Sequence, residues 1–276
     1  MAAPRPSIAD KRRVFRRLHE SGCFMIPNPW DLGSAIYLQS LGFKALASTS
    51  AGFAWTRARA DNTLDRETVL AHLAELVAAT DVPINADFEG GFAADAPGVA
   101  ESVRLAVSTG VAGLSIEDST GDAAKPVYDL DTAVERIRAA RGAIDKNGGD
   151  TLLVGRAENF LVGRPDLDDT IARLKAYADA GADCLYAPRI TTREQIAAVV
   201  AAVAPKPVNV LIGWKTDLTM QDIAALGVRR VSLGGALART AWGGFTRAVE
   251  TLSKGRFDGF GEATTVNLNK VFGDSP

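Results

Sequence analysis

The sequence predicts an α/β protein whose eight parallel strands close into a (β/α)8 barrel of the TIM type, extended by a C-terminal helical tail. Three observations carry this. The chain has 276 residues, about the size of one such barrel. A weak internal repeat sets a glycine after a helical stretch and before a short apolar run in LGFKALAST from Leu41, TGVAGLSIED from Thr109, AGADCLYAP from Ala180 and LGVRRVSLG from Leu226. Strand centres fall about 20 to 40 residues apart with amphipathic segments between them, the unit length that gives parallel sheets with right-handed crossovers.

Ser7-Ile-Ala-Asp10 reads as the N-cap of an opening amphipathic helix. CFMIPNPWD from Cys23 is the first strand and LGFKALAST the second. The glycine of the repeat suits the left-handed end of a helix, and the apolar run that follows suits a strand buried on both faces. DRETVLAHLAELVAAT puts Val69, Leu73, Leu76 and Val77 on one stripe, which predicts a helix over 65–80. VPINADFE from Val82, GLSIED, TLLVGRAE from Thr151, CLYAP, KPVNVLIG from Lys206 and RRVSLG follow as strands three to eight. Helices from Pro165 and from Thr191 each open on a capping residue. An open doubly wound sheet would call for a Gly-rich turn after the first strand, where this chain has PNPWDLG. A last barrel helix spans about 236–253, and the tail beyond it is longer than closure needs. It packs either on the barrel's own outside or on a neighbouring subunit. No linker divides the chain, so residues 1–276 read as one domain.

Composition excludes several classes. A hydrophobic fraction of 47%, a charged fraction of 23% and a net charge of −2 describe a globular chain with no electrostatic case for nucleic acid or an anionic membrane. No apolar run approaches the length of a membrane span, and the basic start lacks the apolar stretch of a secretory signal, so a cytoplasmic protein is expected. Cys23 and Cys184 lack metal-ligand spacing and read as buried thiols.

Catalytic groups of such barrels project from the C-terminal ends of the strands. Strand 2 ends in Ser48-Thr49-Ser50-Ala51-Gly52, followed by a loop to Asp61. Strand 3 ends in Asn85, Asp87 and Glu89, and strand 4 in Glu117-Asp118. Strand 5 ends in Arg156 and Glu158, strand 7 carries Asn209, and strand 8 ends in Gly234-Gly235. Crowded carboxylates repel unless a cation compensates, and hard oxygen donors without His or Cys suit Mg2+ or Mn2+. Asp87 and Glu117 are the centre of this candidate site, with Asp61 and Glu89 beside them. Arg156 is a ready bidentate partner for a substrate carboxylate, although an ion pair with Glu158 or Glu117 would explain it too. The small residues Thr49, Ser50 and Ala51 would let backbone N–H groups approach a second carboxylate. Glu158 and Asn209 complete the substrate-facing candidates. Together these describe a small dianionic or 2-oxo acid bound to the metal, which would draw charge onto an enolate oxygen. Strand 6, CLYAPRI, has no lysine for a Schiff base, and His19 and His72 lie in helical runs as surface or packing residues. Gly234-Gly235 would serve a phosphate cradle and a close helix–strand contact equally well.

At these residues the sequence resembles the isocitrate lyase/phosphoenolpyruvate mutase superfamily, from PNPWDLGSA at Pro27 through STSAGFAW with Asp61, NADFEGGF, GLSIED, GRAENFLVG and YADAGAD to VSLGGALART. The resemblance implies a Mg2+-dependent barrel that makes or breaks C–C or P–C bonds beside a 2-oxo acid. It implies Asp87 as principal metal ligand and Asp61, Glu89 and Glu117 as holders of the metal's waters. Thr49, Ser50 and Ala51 would bind substrate carboxylate, and Arg156 substrate oxygens. It also implies a homotetramer in which a C-terminal helix exchanges between subunits. One departure matters. The lyase branch carries a cysteine acid/base in the loop after strand 4, but Ser119 to Leu130 holds neither cysteine nor histidine, leaving Lys125, Tyr128 and Asp122 as candidates. Strand 6 ends in Pro188-Arg189, where mutase-like members tend to have histidine. The expected activity is a Mg2+-dependent lyase or hydrolase of a small 2-oxo acid or dicarboxylate. The alternatives are a P–C mutase or hydrolase and a 2-oxo acid-binding barrel with little turnover.

Overall fold

A computed structural model describes residues 4–273. Eight parallel strands alternate with helices: β1 (Phe24–Ile26), β2 (Leu46–Ala47), β3 (Ile84–Asp87), β4 (Gly113–Glu117), β5 (Leu152–Arg156), β6 (Cys184–Tyr186), β7 (Val208–Leu211) and β8 (Arg230–Ser232). They form one sheet in the order β1-β8-β7-β6-β5-β4-β3-β2. The β1/β2 seam carries no ladder; there the Ala47 N–H donates to the Pro27 carbonyl at 3.1 Å, and the Asn28 amide donates to the Ser48 carbonyl at 2.8 Å. The expected barrel is therefore present, drawn nearly shut.

The local chemistry expected of the helices is found. Ser7 and Asp10 form a reciprocal capping box at the start of α1 (Ile8–Leu18). Asp65 caps α4 (Arg66–Ala79), Asp166 caps α7 (Leu167–Asp179), and Thr192, one residue later than expected, caps α8 (Arg193–Val203). The four repeat glycines Gly42, Gly110, Gly181 and Gly227 all have φ between 84° and 106°, where a side chain would be strained. Each releases the chain from a helix straight into the next strand.

Phe15 of α1, fully buried, closes the N-terminal end of the barrel with Ile26, Ala45, Ala112 and Leu152. Gly113 leaves room for it: a Cβ there would lie 2.7 Å from the Phe15 ring. With the bottom plugged, the strands open only upward. The histidines pack as expected: His19 sets Nδ1 2.8 Å from the Phe15 carbonyl, and His72 stacks on Phe53 at 3.7 Å. Cys184 is buried, whereas Cys23 is only partly so.

Beyond β8, α10 (Ala236–Leu252) leads through a 3-10 turn (Asp258–Glu262) to α11 (Leu268–Gly273), which lies against α2 (Leu32–Ser40) of its own chain with Phe272 beside Gly33. Trp242, Phe245 and Val249 of α10 stay exposed. Among the described residues no helix is long and apolar enough to cross a membrane.

Candidate active site

The cavity at the C-terminal end of the strands has a volume of about 160 Å³ and is walled by Ser50, Ala51, Asp61, Asp87, Arg156 and Arg230 among others. Asp87, at the end of β3, stands at its edge. The Asp87 N–H donates to Ser48 Oγ at 2.8 Å. One carboxylate oxygen, Oδ2, accepts from both the backbone N–H and the hydroxyl of Ser50 at 3.0 Å, and Oδ1 accepts from Arg156 Nη1 at 3.1 Å. The donors from Ser50 come from the first turn of α3 (Ser50–Thr56), which Thr49 caps by accepting from the Gly52 N–H. The short strand β2 thus delivers a helix start against the end of β3.

Arg156, at the end of β5, meets three acids. Nη1 lies 3.1 Å from Glu117 Oε2 as well as from Asp87, and Nε donates to Glu158. The guanidinium also lies 5.2 Å over the Tyr186 ring. Burial opposes its charge, but Glu158 and Glu117 outweigh burial and hold its proton more firmly than usual.

The carboxylates remain in excess. Glu117 and Glu158 are buried, and Asp61 and Glu89 approach Asp87 closely enough to repel it. Burial pushes Glu117 well above the usual carboxylate range, with Glu158, Asp87 and Glu89 adding to the rise against Arg156. Burial, then Asp87 and Asp61, push Glu89 up to about 8, and burial followed by Asp87 raises Asp61. Five acids, Asp61, Asp87, Glu89, Glu117 and Glu158, surround one guanidinium. This donor set fits a hard divalent cation: it is all oxygen, its charge is uncompensated, and part of it faces an open cavity. Among the described residues no three such groups converge into a closed cage. An ion that keeps several waters and touches one or two carboxylates needs none.

Several expected residues sit differently. Ser50 spends its N–H and hydroxyl on Asp87, and Thr49 Oγ1 accepts from the Gly52 N–H at the helix cap, while Thr49, Ser50 and Ala51 all line the cavity. Glu158 turns into the interior toward Arg156. Asn209, fully buried, donates to Ser232 Oγ at 2.9 Å and accepts from Arg230 Nε at 2.8 Å, so both ends of its amide are engaged. Lys125, Tyr128 and Asp122 do not line the cavity. Lys125 pairs with Asp129 at 3.3 Å, Asp122 accepts from the Ala124 N–H, and the Tyr128 ring lies 4.3 Å under the Arg136 guanidinium. A bridge between Ser119 and Val127 folds this loop upon itself.

Four side chains about the site, Asp118, Arg136, Arg230 and Arg239, had no role assigned to them from the sequence. Asp118 accepts from Tyr177 Oη at 2.6 Å, Arg173 Nη1 at 3.1 Å and the Glu158 N–H at 2.8 Å, tying the ends of β4 and β5 to α7. Its signal was the i, i+4 pair Arg173 and Tyr177. Buried Arg136 of α6 (Leu130–Lys146) donates to the carbonyls of Gly90, Ala93 and Ala94, and so fixes the loop that carries Glu89. Arg230 and Arg239 add two cations to a cavity where the sequence suggested one.

Comparison with known proteins identifies the family of the chain. Residues 15–253 match the family described as phosphoenolpyruvate phosphomutase. The chain is 31% identical over 222 residues to an uncharacterized protein of Mycobacterium tuberculosis strain H37Rv, covering 80% of this chain and 81% of that one. It is 28% identical to an oxaloacetate decarboxylase of Paraburkholderia xenovorans over 80% of this chain and 74% of the relative. Among solved structures, one from Burkholderia cenocepacia J2315, provisionally assigned as a lyase/mutase, is 48% identical with a TM-score of 0.93 over 98% of this chain and 99% of that one. Oxaloacetate acetylhydrolase with its product oxalate is 27% identical, with a TM-score of 0.84 over 95% and 94%.

Proposed function

The chain belongs to the phosphoenolpyruvate phosphomutase family and is an enzyme of the isocitrate lyase/phosphoenolpyruvate mutase type, and from that premise we propose a divalent-metal-dependent lyase or hydrolase that cleaves a C–C bond in a small 2-oxo acid or dicarboxylate. One observation carries the reading: Asp87, fixed by Ser50 and Arg156, lies at a cavity edge amid more carboxylate charge than its one guanidinium neutralises. Asp87 would touch Mg2+ or Mn2+, with Asp61, Glu89 and Glu117 holding its waters. Once bound, the cation supplies Lewis acidity to the substrate's 2-oxo oxygen, where an enolate's charge develops. Ser50 and Arg156 keep the Asp87 carboxylate in one orientation, and Glu117 and Glu158 keep Arg156 in place. Ala51 offers its edge to a substrate carboxylate. Relatives named for oxaloacetate and 2-methylisocitrate favour substrates of this class.

The test is a panel of oxaloacetate, 2-methylisocitrate and phosphonopyruvate with Mg2+ or Mn2+, followed by pyruvate, glyoxylate and oxalate release. Asp87→Ala should lower metal-dependent turnover and metal affinity roughly a hundredfold or more, at unchanged fold. A variant as active as the parent sinks the assignment. A second reading, P–C bond mutase or hydrolase chemistry, is favoured by the family match itself; turnover of phosphonopyruvate alone would select it. Ligand-induced stabilisation with no turnover would select a binding barrel, to which the turning away of Lys125, Tyr128 and Asp122 gives some weight.

A further inference from the structure

The cavity contains a second interior cation that none of the rim carboxylates reaches. Arg230 enters the barrel from β8, is 2% exposed and lines the cavity floor. Its Nε donates to Asn209 Oδ1 at 2.8 Å, its Nη1 donates to Asn85 Oδ1 at 3.2 Å, and Nη1 lies 3.5 Å from His19 Nε2. Asn85 stands two residues before Asp87 on β3, so the Arg230 head sits roughly 6–7 Å below the carboxylate at the rim. Its other neighbours are Cys184 and Tyr186, both neutral at ordinary pH. Among the described residues Arg230 has no acidic partner, and Nη2 has no hydrogen bond. The contrast with Arg156, saturated by three acids, is complete.

Arginine does not escape burial by losing its proton. An isolated buried cation is costly unless an anion or a set of dipoles compensates it. Here two amide oxygens supply part of the compensation and also fix the fork: Asn209 is held in turn by Ser232. The guanidinium is thereby pre-oriented, with one amino group unspent on the cavity side, which is the arrangement a carboxylate requires.

We propose that Arg230, held by Asn209 and Asn85, is the floor of an anion subsite that takes one carboxylate of a dicarboxylic ligand. That the other end of this ligand lies at Asp87 rests on the function proposed above; the anion subsite itself does not. Arg230 is then a specificity-determining residue that favours dianions over monocarboxylates, and Asn209 and Asn85 are positioning residues.

The full-length chain, with Mg2+ and separately with EDTA, is titrated with malonate and with pyruvate in low-chloride buffer, and melting temperature and heat of binding are read. Malonate should raise the parent's melting temperature by about 2 °C or more in both conditions, and pyruvate should raise it less. Arg230→Met should lose the malonate shift and bind at least about tenfold more weakly, and Arg230→Lys should keep part of it. Asn209→Asp gives Arg230 an internal carboxylate, so it should also lose malonate binding while remaining folded; this variant decides the matter should Arg230→Met not fold. Asp87→Ala in EDTA should keep the malonate response, which separates this proposal from the metal assignment. A parent that ignores malonate, or an Arg230→Met or Asn209→Asp protein that responds as the parent does, overturns it.

Discussion

Arg156 shows how a single residue acquires its role from its neighbours. An arginine at a barrel mouth reads as a substrate clamp, but three carboxylates within reach make it the keystone of the rim acids. Clamping then falls to whichever cation is left unpaired. His72 poses the same question in a simpler setting. It stacks on Phe53 at an interplanar angle of 4°, its Nε2 is buried without a partner among the described residues, and burial followed by Arg57 lowers it to about 4 from 6.5. A histidine held neutral in the fold takes up a proton on unfolding once the pH falls below 6.5, so its contribution to stability is present above that value and is lost as the pH falls toward 4. Each such group steepens the acid limb by up to about 1.4 kcal/mol per pH unit; His19, lowered to about 3, acts in the same direction. His72→Phe keeps the stack and removes the orphaned nitrogen. Its melting temperature should match or exceed the parent's at pH 7 and fall less between pH 6.5 and 5. An unchanged slope would place the proton uptake elsewhere.

At the scale of elements, the site depends on how closely α3 seats. Gly52 lies where a Cβ would stand 2.7 Å from Thr49 Cγ2 and 2.8 Å from Trp30 Cβ, so nothing larger than glycine fits between α3, the start of α2 and α10. Gly52→Ala must push α3 outward, carrying with it the Ser50 donors that hold Asp87. Overpacking of this kind costs about 1–3 kcal/mol. The variant should melt several degrees lower, and its metal affinity should fall with it. Undiminished affinity would mean that Ser50 does not position Asp87.

For the whole molecule, the exposed aromatic face of α10 is the feature that a lone chain leaves unexplained. Trp242 is 47% and Phe245 58% exposed, and Phe257 and Phe260 follow in the tail. A contiguous apolar face on the last barrel helix matches a homo-oligomer, dimer or tetramer, better than a monomer. Light scattering at micromolar concentration should give at least twice the 29.1 kDa of one chain, and a Trp242→Glu, Phe245→Glu protein should shift toward the monomer. A parent that runs as a monomer refutes this.

The sequence by itself determined the barrel and the identity of its acids. Helix periodicity, caps and the glycines that end helices act over a few residues, so Ser7, Asp65, Asp166 and Gly110 announce their elements without reference to the rest of the chain. Strand ends in a barrel all face one way, and this made Asp87, Glu89 and Glu117 legible as one group, to which the family resemblance added Asp61 from the loop after strand 2. Only the tertiary structure decided which of those charges neutralise one another. Arg156 meets Asp87 across 69 positions, and Arg230 meets Asn85 across 145. Such partners are set by closure of the ring, with no local pattern to mark them. The same holds for the loop after β4: its sequence offers Lys125, Tyr128 and Asp122 to the site, whereas the bridge from Ser119 to Val127 and the stacking of Tyr128 on Arg136 turn them away. Which side chains exist at the rim is a local property of each strand; which of them remain free to bind is a sum over the whole barrel.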